Sequence, residues 1–201
     1  MIALLKYIRS LELIDYIYLL TGKSRFSINP KLEKLPKNIL FICTGNICRS
    51  SYAERKLNQL FRNPNVKVSS AGLVTDEGKQ ADPQAIEIAL KRKINLSSHR
   101  TQSVTAELLA AADLILVMDS SHYKKINPSL SNKVKYLGCY GEHKRISIKD
   151  PFSRSNKIFE NCFNQIDQAL QGLKAELKMH SNFKIEDSKV TTMIIDKRLL
   201  D

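Results

Sequence analysis

Residues 39–50 read Ile-Leu-Phe-Ile-Cys-Thr-Gly-Asn-Ile-Cys-Arg-Ser, and the fold can be worked out from this segment. The apolar run 39–42 predicts a buried strand. Gly45 and Asn46 predict a tight bend after it, and residues 50–61 have the apolar spacing of a helix. A strand, a tight loop and a helix start in this order form a concave site in which backbone N–H groups can bind an anion.

The cysteine and the arginine at the two ends of this loop are candidate catalytic residues. The Arg49 guanidinium can bind two phosphate oxygens at once. The positive field of the loop and helix end favours the thiolate form of Cys43, which is the nucleophilic form of cysteine. The spacing alone leaves an alternative, in which Cys43 is a small buried apolar residue and Arg49 a solvated residue of the first helical turn.

The loop resembles the signature of the low-molecular-weight protein tyrosine phosphatase family, and five further motifs follow in the order and approximate spacing of that family. They are Ser-Ser-Ala-Gly at 69–72, Ala-Asp-Pro at 81–83, Ser-His-Arg at 98–100, Val-Met-Asp at 117–119 and Lys-Asp-Pro-Phe at 149–152. The resemblance covers residues 38–178. The segments 78–79 and 151–159 are most similar to the bacterial branch associated with capsule and exopolysaccharide tyrosine kinases.

The resemblance implies a mechanism for phosphotyrosine hydrolysis. Cys43 would attack the phosphorus and form a phosphocysteine, while Asp150 would protonate the leaving phenolate and then activate water. Pro151 would restrict the direction of that acid. The phosphate-binding residues implied are Thr44, Gly45, Asn46, Ile47, Cys48, Arg49 and Ser50. This mechanism requires no metal and no cofactor.

Supporting roles also come from the resemblance. Ser50, Ser70 and His99 would hold the loop asparagine in its unusual backbone shape, and the Ser50 hydroxyl would stabilise the thiolate. Without the resemblance, a single histidine such as His99 is more often a structural residue. Cys48 has two open interpretations, a reversible disulfide partner of Cys43 and a residue that only fills space at the helix start.

The chain departs from the family pattern at several positions. Ser51 stands where proline usually follows the loop, and Gln102 stands where arginine is common. The predicted pocket rim contains Asp76, where other members carry tryptophan or leucine, and Phe152 as the single aromatic residue after the Asp-Pro pair. We therefore expect a thinner aromatic wall around the substrate ring.

The pattern of apolar residues predicts an α/β fold. Strands are expected at 38–43, 66–70, 114–118 and 133–137, and helices at 50–61, 83–91, 105–112 and 156–178. This alternation predicts a four-stranded parallel sheet with helices on both faces, doubly wound and flavodoxin-like, and with an N-terminal helical extension. The active site is expected beyond the carboxyl ends of the strands, where the first strand presents its cysteine.

The predicted organisation has three parts: an amphipathic extension and linker at 1–37, a catalytic domain at 38–179 and a tail at 180–201. Charges within residues 1–20 argue against a membrane span and against a secretory signal. Two interpretations remain for this extension. Packing on the core or self-association is preferred over membrane contact through residues 1–25. No role is assigned to the tail.

Composition limits the function classes. The 201 residues are 43% hydrophobic and 26% charged, as in one globular domain with peripheral segments. Four cysteines without secretory spacing predict a cytoplasmic protein. Of the net charge of +12, a net +8 lies in residues 38–179, which suits phosphorylated partners such as a tyrosine autokinase. The chain has no run of five basic residues, so nucleic acid is not an expected partner.

Three other functions are weighed against phosphotyrosine hydrolysis. Arsenate reduction uses the same fold but needs a resolving cysteine pair near the acid, whereas Cys139 and Cys162 are widely spaced around Asp150. A phosphotyrosine-binding module would need neither a nucleophile nor an acid. A zinc site on Cys43 and Cys48 would lack the second pair of ligands.

Overall fold

The computed structural model of the chain describes residues 31–197, which contain a four-stranded sheet in the order β2-β1-β3-β4. All three strand pairs are parallel. The strands are β1 (Asn38–Cys43), β2 (Lys67–Gly72), β3 (Leu114–Val117) and β4 (Val134–Tyr136). The helices are α1 (Arg49–Leu60), α2 (Pro83–Lys91), α3 (Ala106–Ala111), α4 (Ser120–Lys124) and α5 (Asn156–Lys197). Two 3₁₀ helices follow α4 and β4, at Pro128–Leu130 and Leu137–Tyr140.

The sheet separates two apolar cores because successive side chains of a strand point to opposite faces. Ile39 and Phe41 lie in the core shared with α1 and α5, whereas Leu40 and Ile42 lie in the core on the other face. All four side chains are at most 2% exposed. This burial on both faces explains why the strand reads as a continuous apolar run.

The position of β1 in the sheet locates the candidate site. Its last residue, Cys43, is in register with Gly72 of β2, and Ile42 is in register with Val117 of β3. The chain leaves β1 toward β2 on one side and reaches β3 on the other. Ligands of open α/β sheets bind where the strand order reverses in this way, and Cys43 ends the strand at that point.

The predicted fold class is confirmed, and most element boundaries agree within two residues. The short helix α4 was not predicted from the sequence. Its start is formed by Asp119, whose Oδ1 accepts hydrogen bonds from the backbone N–H groups of Ser121 (2.9 Å) and His122 (3.1 Å). A helix of five residues has too few positions for an apolar period, so only this capping pattern could have indicated it.

The predicted end of the last helix at residue 178 is wrong. Helix α5 continues without a break to Lys197, so the proposed boundary between residues 179 and 180 falls inside a helix. The chain has no glycine or proline after Gly172, and therefore no residue that ends a helix at residue 178. The predictions for the N-terminal extension, up to residue 30, lie outside the described residues. No helix within 31–197 is both long enough and apolar enough to cross a membrane.

A close backbone contact joins α5 to the second 3₁₀ helix. A Cβ atom on Gly172 would lie 1.8 Å from the Tyr140 carbonyl oxygen. We expect Gly172→Ala to lower the free energy of unfolding by about 1–3 kcal/mol, because backbone atoms must move apart. Helix propensity alone predicts the opposite effect, an increase of about 1 kcal/mol in the free energy of unfolding. Urea denaturation measures this loss, with Gln171→Ala on the exposed face of the helix as the control variant. An unchanged or raised urea midpoint for Gly172→Ala would contradict the close contact.

Candidate active site

The loop after β1 is shaped by one buried asparagine. Asn46 has a positive φ of 54°, a backbone shape that asparagine tolerates better than most residues. Its Nδ2 donates to the hydroxyls of Ser50 (2.9 Å) and Ser70 (2.8 Å). Its Oδ1 accepts from the backbone N–H of Gln102 (3.0 Å), and its carbonyl accepts from Nε2 of His99 (2.7 Å). Burial lowers the pKa of His99, so its neutral ring can carry the donated proton at neutral pH.

The sulfur of Cys43 receives two hydrogen bonds that favour a thiolate. The Asn46 backbone N–H lies 3.3 Å from Sγ, and the Ser50 hydroxyl oxygen lies 2.9 Å from it. Because the Ser50 oxygen already accepts from the Asn46 amide, its own proton is available to the sulfur. Donors aimed at a negative charge stabilise it. The local geometry therefore suits a nucleophilic sulfur.

Backbone donors surround the same position. Within residues 31–197, the loop N–H groups of Thr44, Gly45, Ile47 and Cys48 donate to no protein acceptor, and Arg49 begins the helix, where the first N–H groups have no partner inside the helix. Helix α1 begins here and has 12 residues, so its positive end adds to their field. Unpaired N–H groups at a helix start bind oxyanions such as phosphate. These residues, with Asn46 and Ser50, are the predicted phosphate-binding loop.

The guanidinium of Arg49 is buried and is held through its two Nη atoms. The residue is 2% exposed. Its Nη1 donates to Oδ2 of Asp119 and to the carbonyl of Ile148, both at 3.2 Å, and its Nη2 donates to Oδ2 of Asp150. Its Nε is buried and has no acceptor among the described residues. The arginine is thus fixed by protein groups and retains a donor for a ligand oxygen.

Asp119 connects the arginine to helix α4. Burial by itself would raise the pKa of this carboxyl, but the hydrogen bonds from the Ser121 hydroxyl and the His122 backbone N–H, together with the charge of Arg49, outweigh burial and lower the pKa. Asp119 therefore remains a carboxylate at neutral pH and balances the charge of Arg49. The sequence analysis noted Asp119 only as part of a motif and assigned it no role. Its place directly after a strand that neighbours β1 was the available signal.

Asp150 reaches the site from the loop that precedes α5. Its side chain is 46% exposed, and its Oδ1 accepts from the backbone N–H of Phe152 (3.2 Å). The Ile148 backbone N–H donates to the Met118 carbonyl (2.8 Å), which anchors this loop at the end of β3. The structure therefore brings the three predicted catalytic residues, Cys43, Arg49 and Asp150, to one place.

These residues line a cleft of about 170 Å³. Cys43 is only 3% exposed but faces into the cleft, and Phe152, 51% exposed, stands at its edge. The lining residues are Cys43, Thr44, Gly45, Ile47, Cys48, Arg49, Asp150 and Phe152. Asp76, the other predicted rim residue, does not line the cleft. Its carbonyl accepts instead from the hydroxyl of Thr101 (2.5 Å), which holds that loop against the segment after His99.

The remaining cysteines are buried thiols that form no disulfide in the structure. Burial raises the pKa of Cys48 far above its usual value and that of Cys162 to about 12. Cys139 packs in the core on the opposite face of the sheet from Cys162, and its thiol donates to the Arg145 carbonyl. This separation does not provide the resolving pair that arsenate reduction requires. A disulfide between Cys43 and Cys48 stays a prediction, although both thiols line one cleft.

Comparisons with known proteins agree with this geometry. The family model described as low molecular weight phosphotyrosine protein phosphatase matches residues 38–182. The probable low molecular weight protein-tyrosine-phosphatase EpsP of Ralstonia nicotianae is 37% identical over 134 residues, which cover 67% of this chain and 91% of the relative.

Two solved structures extend the comparison. Vibrio vulnificus Wzb in complex with benzylphosphonate has a TM-score of 0.64 and 35% identity, covering 70% of this chain and 99% of that protein. The YwlE arginine phosphatase from Geobacillus stearothermophilus has a TM-score of 0.66 and 28% identity, with 72% and 94% covered. Both likenesses extend over nearly the whole of the compared protein.

Proposed function

Because the chain belongs to the low molecular weight phosphotyrosine protein phosphatase family, we propose that Cys43, Arg49 and Asp150 are the residues that carry out its hydrolysis of phosphotyrosine. The chain is a protein-tyrosine-phosphatase. The residue roles are supported by one observation above others: a hydrogen-bonded sulfur, a buried guanidinium with a free Nε and a carboxyl group meet in one small cleft.

In the first step, the Cys43 thiolate attacks phosphorus in line with the tyrosine oxygen. The S–P bond forms as the P–O bond to the phenol breaks, and the electron pair of that bond stays on the leaving oxygen. Asp150, protonated at this stage, gives its proton to that oxygen, so tyrosine leaves as a neutral phenol. Arg49 and the unpaired loop amides stabilise the charge spread over the three equatorial oxygens.

In the second step, water attacks the phosphocysteine. Asp150, now a carboxylate, accepts a proton from that water as the new P–O bond forms and the S–P bond breaks. Inorganic phosphate leaves, Cys43 returns to the thiolate and Asp150 is again protonated. The Ser50 hydroxyl, 2.9 Å from the sulfur, stabilises the departing thiolate in this step.

The physiological substrate is a phosphotyrosine protein of polysaccharide production, such as a tyrosine autokinase. Support for this comes from the similarity to EpsP and Wzb proteins and from the net charge of +8 on residues 38–179, which favours polyanionic partners. Four cysteines that form no disulfide suit a reducing compartment, and we place the activity in the cytoplasm.

Substrate choice tests the proposal. We expect kcat/KM for a phosphotyrosine peptide to exceed that for the matched phosphoserine and phosphoarginine peptides by about 10²-fold or more. Ile47 and Phe152 line the cleft where an aromatic ring would pack. Phosphate release by the full chain, measured with a metal chelator present, gives the three values. The matched variant Phe152→Ala should lower the phosphotyrosine value alone.

Two results would overturn parts of this account. Binding of the phosphotyrosine peptide without phosphate release would favour a recognition module. Faster release from the phosphoarginine peptide would place the chain functionally with the arginine phosphatases that share its fold.

A further inference from the structure

His122 is a buried histidine next to the phosphate-binding loop that the mechanism above does not use. It is 2% exposed and lies on helix α4. Its Nε2 is 3.0 Å from the hydroxyl oxygen of Thr44, the residue that follows the nucleophile. Its Nδ1 is 3.3 Å from Oδ2 of Asp119, the carboxylate that also binds Arg49.

The protonation of this ring follows from its surroundings. Burial lowers the pKa of His122 to about 4, against the opposing attraction of Asp119, so the ring is neutral at neutral pH. Nδ1 makes no hydrogen bond within the described residues, but the negative charge of the Asp119 carboxylate 3.3 Å away favours the proton on that nitrogen. The lone pair of Nε2 then accepts a hydrogen bond from the Thr44 hydroxyl, which fixes the rotamer of that side chain.

We propose that His122 is a positioning residue, which holds the first residue of the phosphate-binding loop through the Thr44 hydroxyl. The inference rests on the proposed function, because it assigns a role within the same site. Thr44 is also held from the other side, since its carbonyl accepts from the backbone N–H of Val74 (2.9 Å). Together these two bonds fix the peptide unit that presents the first unpaired N–H groups to the phosphate.

The same contacts also connect the start of the phosphate-binding loop to the Arg49 guanidinium at its end. Asp119 binds Arg49 through Oδ2 and the His122 backbone N–H through Oδ1. One rigid turn of α4 therefore contacts both the start of the loop, through Thr44, and the guanidinium at its end. Such support keeps donors in the geometry of the transition state, where small displacements reduce the rate strongly.

A double-mutant cycle tests the hydrogen bond. We expect Thr44→Val and His122→Leu each to lower kcat/KM for p-nitrophenyl phosphate by about 3- to 10-fold, as for the loss of one hydrogen bond. The double variant should be no slower than the slower single variant, because both remove the same interaction. His122→Gln, whose amide can still accept from the Thr44 hydroxyl, should recover part of the rate.

Inhibition separates positioning from general damage. The inhibition constant of vanadate, which mimics the five-coordinate transition state, should rise with the loss of kcat/KM, while that of inorganic phosphate rises less. Ile126→Ala removes a buried side chain beyond the same helix without removing this bond. This variant should lower the melting temperature and leave kcat/KM within about twofold of the wild-type value. A loss of stability does not change the rate of a protein that remains folded at the assay temperature, and the two effects are independent.

The inference fails if the effects of Thr44→Val and His122→Leu multiply, or if His122→Leu lowers only the melting temperature, as Ile126→Ala does. If His122→Leu does not fold, Thr44→Val and His122→Gln still test the positioning role. Wild-type rates in both of these variants would exclude it. An inactive wild-type chain would overturn the proposed catalytic roles instead, so the two failures are distinguishable.

Discussion

Cys43→Ser is expected to reduce phosphate release from a phosphotyrosine peptide by at least about 10⁴-fold, the largest effect of any single substitution in the chain. A serine hydroxyl at this position would remain protonated at neutral pH, and the site contains no histidine placed to remove that proton. His99 donates to the Asn46 carbonyl, and His122 faces Thr44. The site therefore relies on the acidity of a thiol and on the surrounding hydrogen-bond donors to form its nucleophile.

Binding should survive this substitution. The loop amides and Arg49 are unchanged in Cys43→Ser, so the variant should still bind the phosphotyrosine peptide when titrated by calorimetry. Cys139→Ser, at a buried thiol remote from the cleft, is the matched control and should retain the wild-type kcat. In the wild type, rapid acid quenching should trap phosphate on residue 43. Release by Cys43→Ser at the wild-type rate would exclude a phosphocysteine.

Asp150→Asn is expected to slow hydrolysis of a phosphotyrosine peptide by about 10²- to 10⁴-fold, because the amide can neither donate the proton nor accept one from water. The loss should depend on the leaving group. A phenol that leaves readily as an anion, such as p-nitrophenol, needs little protonation, so formation of the phosphocysteine from its ester should slow much less.

A series of aryl phosphates measures this dependence. The logarithm of kcat/KM for Asp150→Asn should fall steeply as the pKa of the leaving phenol rises, whereas the wild-type values should stay nearly level. Asp76→Asn is the control, because that carboxyl group lies outside the cleft lining. Parallel slopes for Asp150→Asn and wild type would show that another group supplies the proton.

Much of the fold was predictable because the informative patterns are local. The strand Asn38–Cys43 and the helix Pro83–Lys91 have the predicted boundaries, since their apolar periods begin and end within the segment itself. The end of α5 was not predictable from its apolar stripe, because a helix continues wherever no residue breaks it. The four strands are also parallel, as expected.

The site residues also differ in how far the sequence predicts them. The loop could be recognised because Cys43, Arg49 and the bend between them lie within seven residues. Asp119 and His122 act through contacts that span 70 and 78 positions, and no local pattern indicates such pairing. Asp76 was assigned to the rim by its position in the chain, but it is not among the residues that line the cleft, and its carbonyl accepts from the Thr101 hydroxyl.

The contact between Arg49 and Asp150 has a consequence for how the cycle ends. A guanidinium buried to this degree would strongly retain a departing anion if nothing replaced that anion. Here Asp119 stays paired with Arg49 throughout, and Asp150, once it has passed its proton to solvent, pairs with Nη2 as a second carboxylate, so no bare positive charge remains when phosphate leaves. We therefore expect product to escape readily and inorganic phosphate to inhibit only weakly, so that turnover is set by the chemical steps.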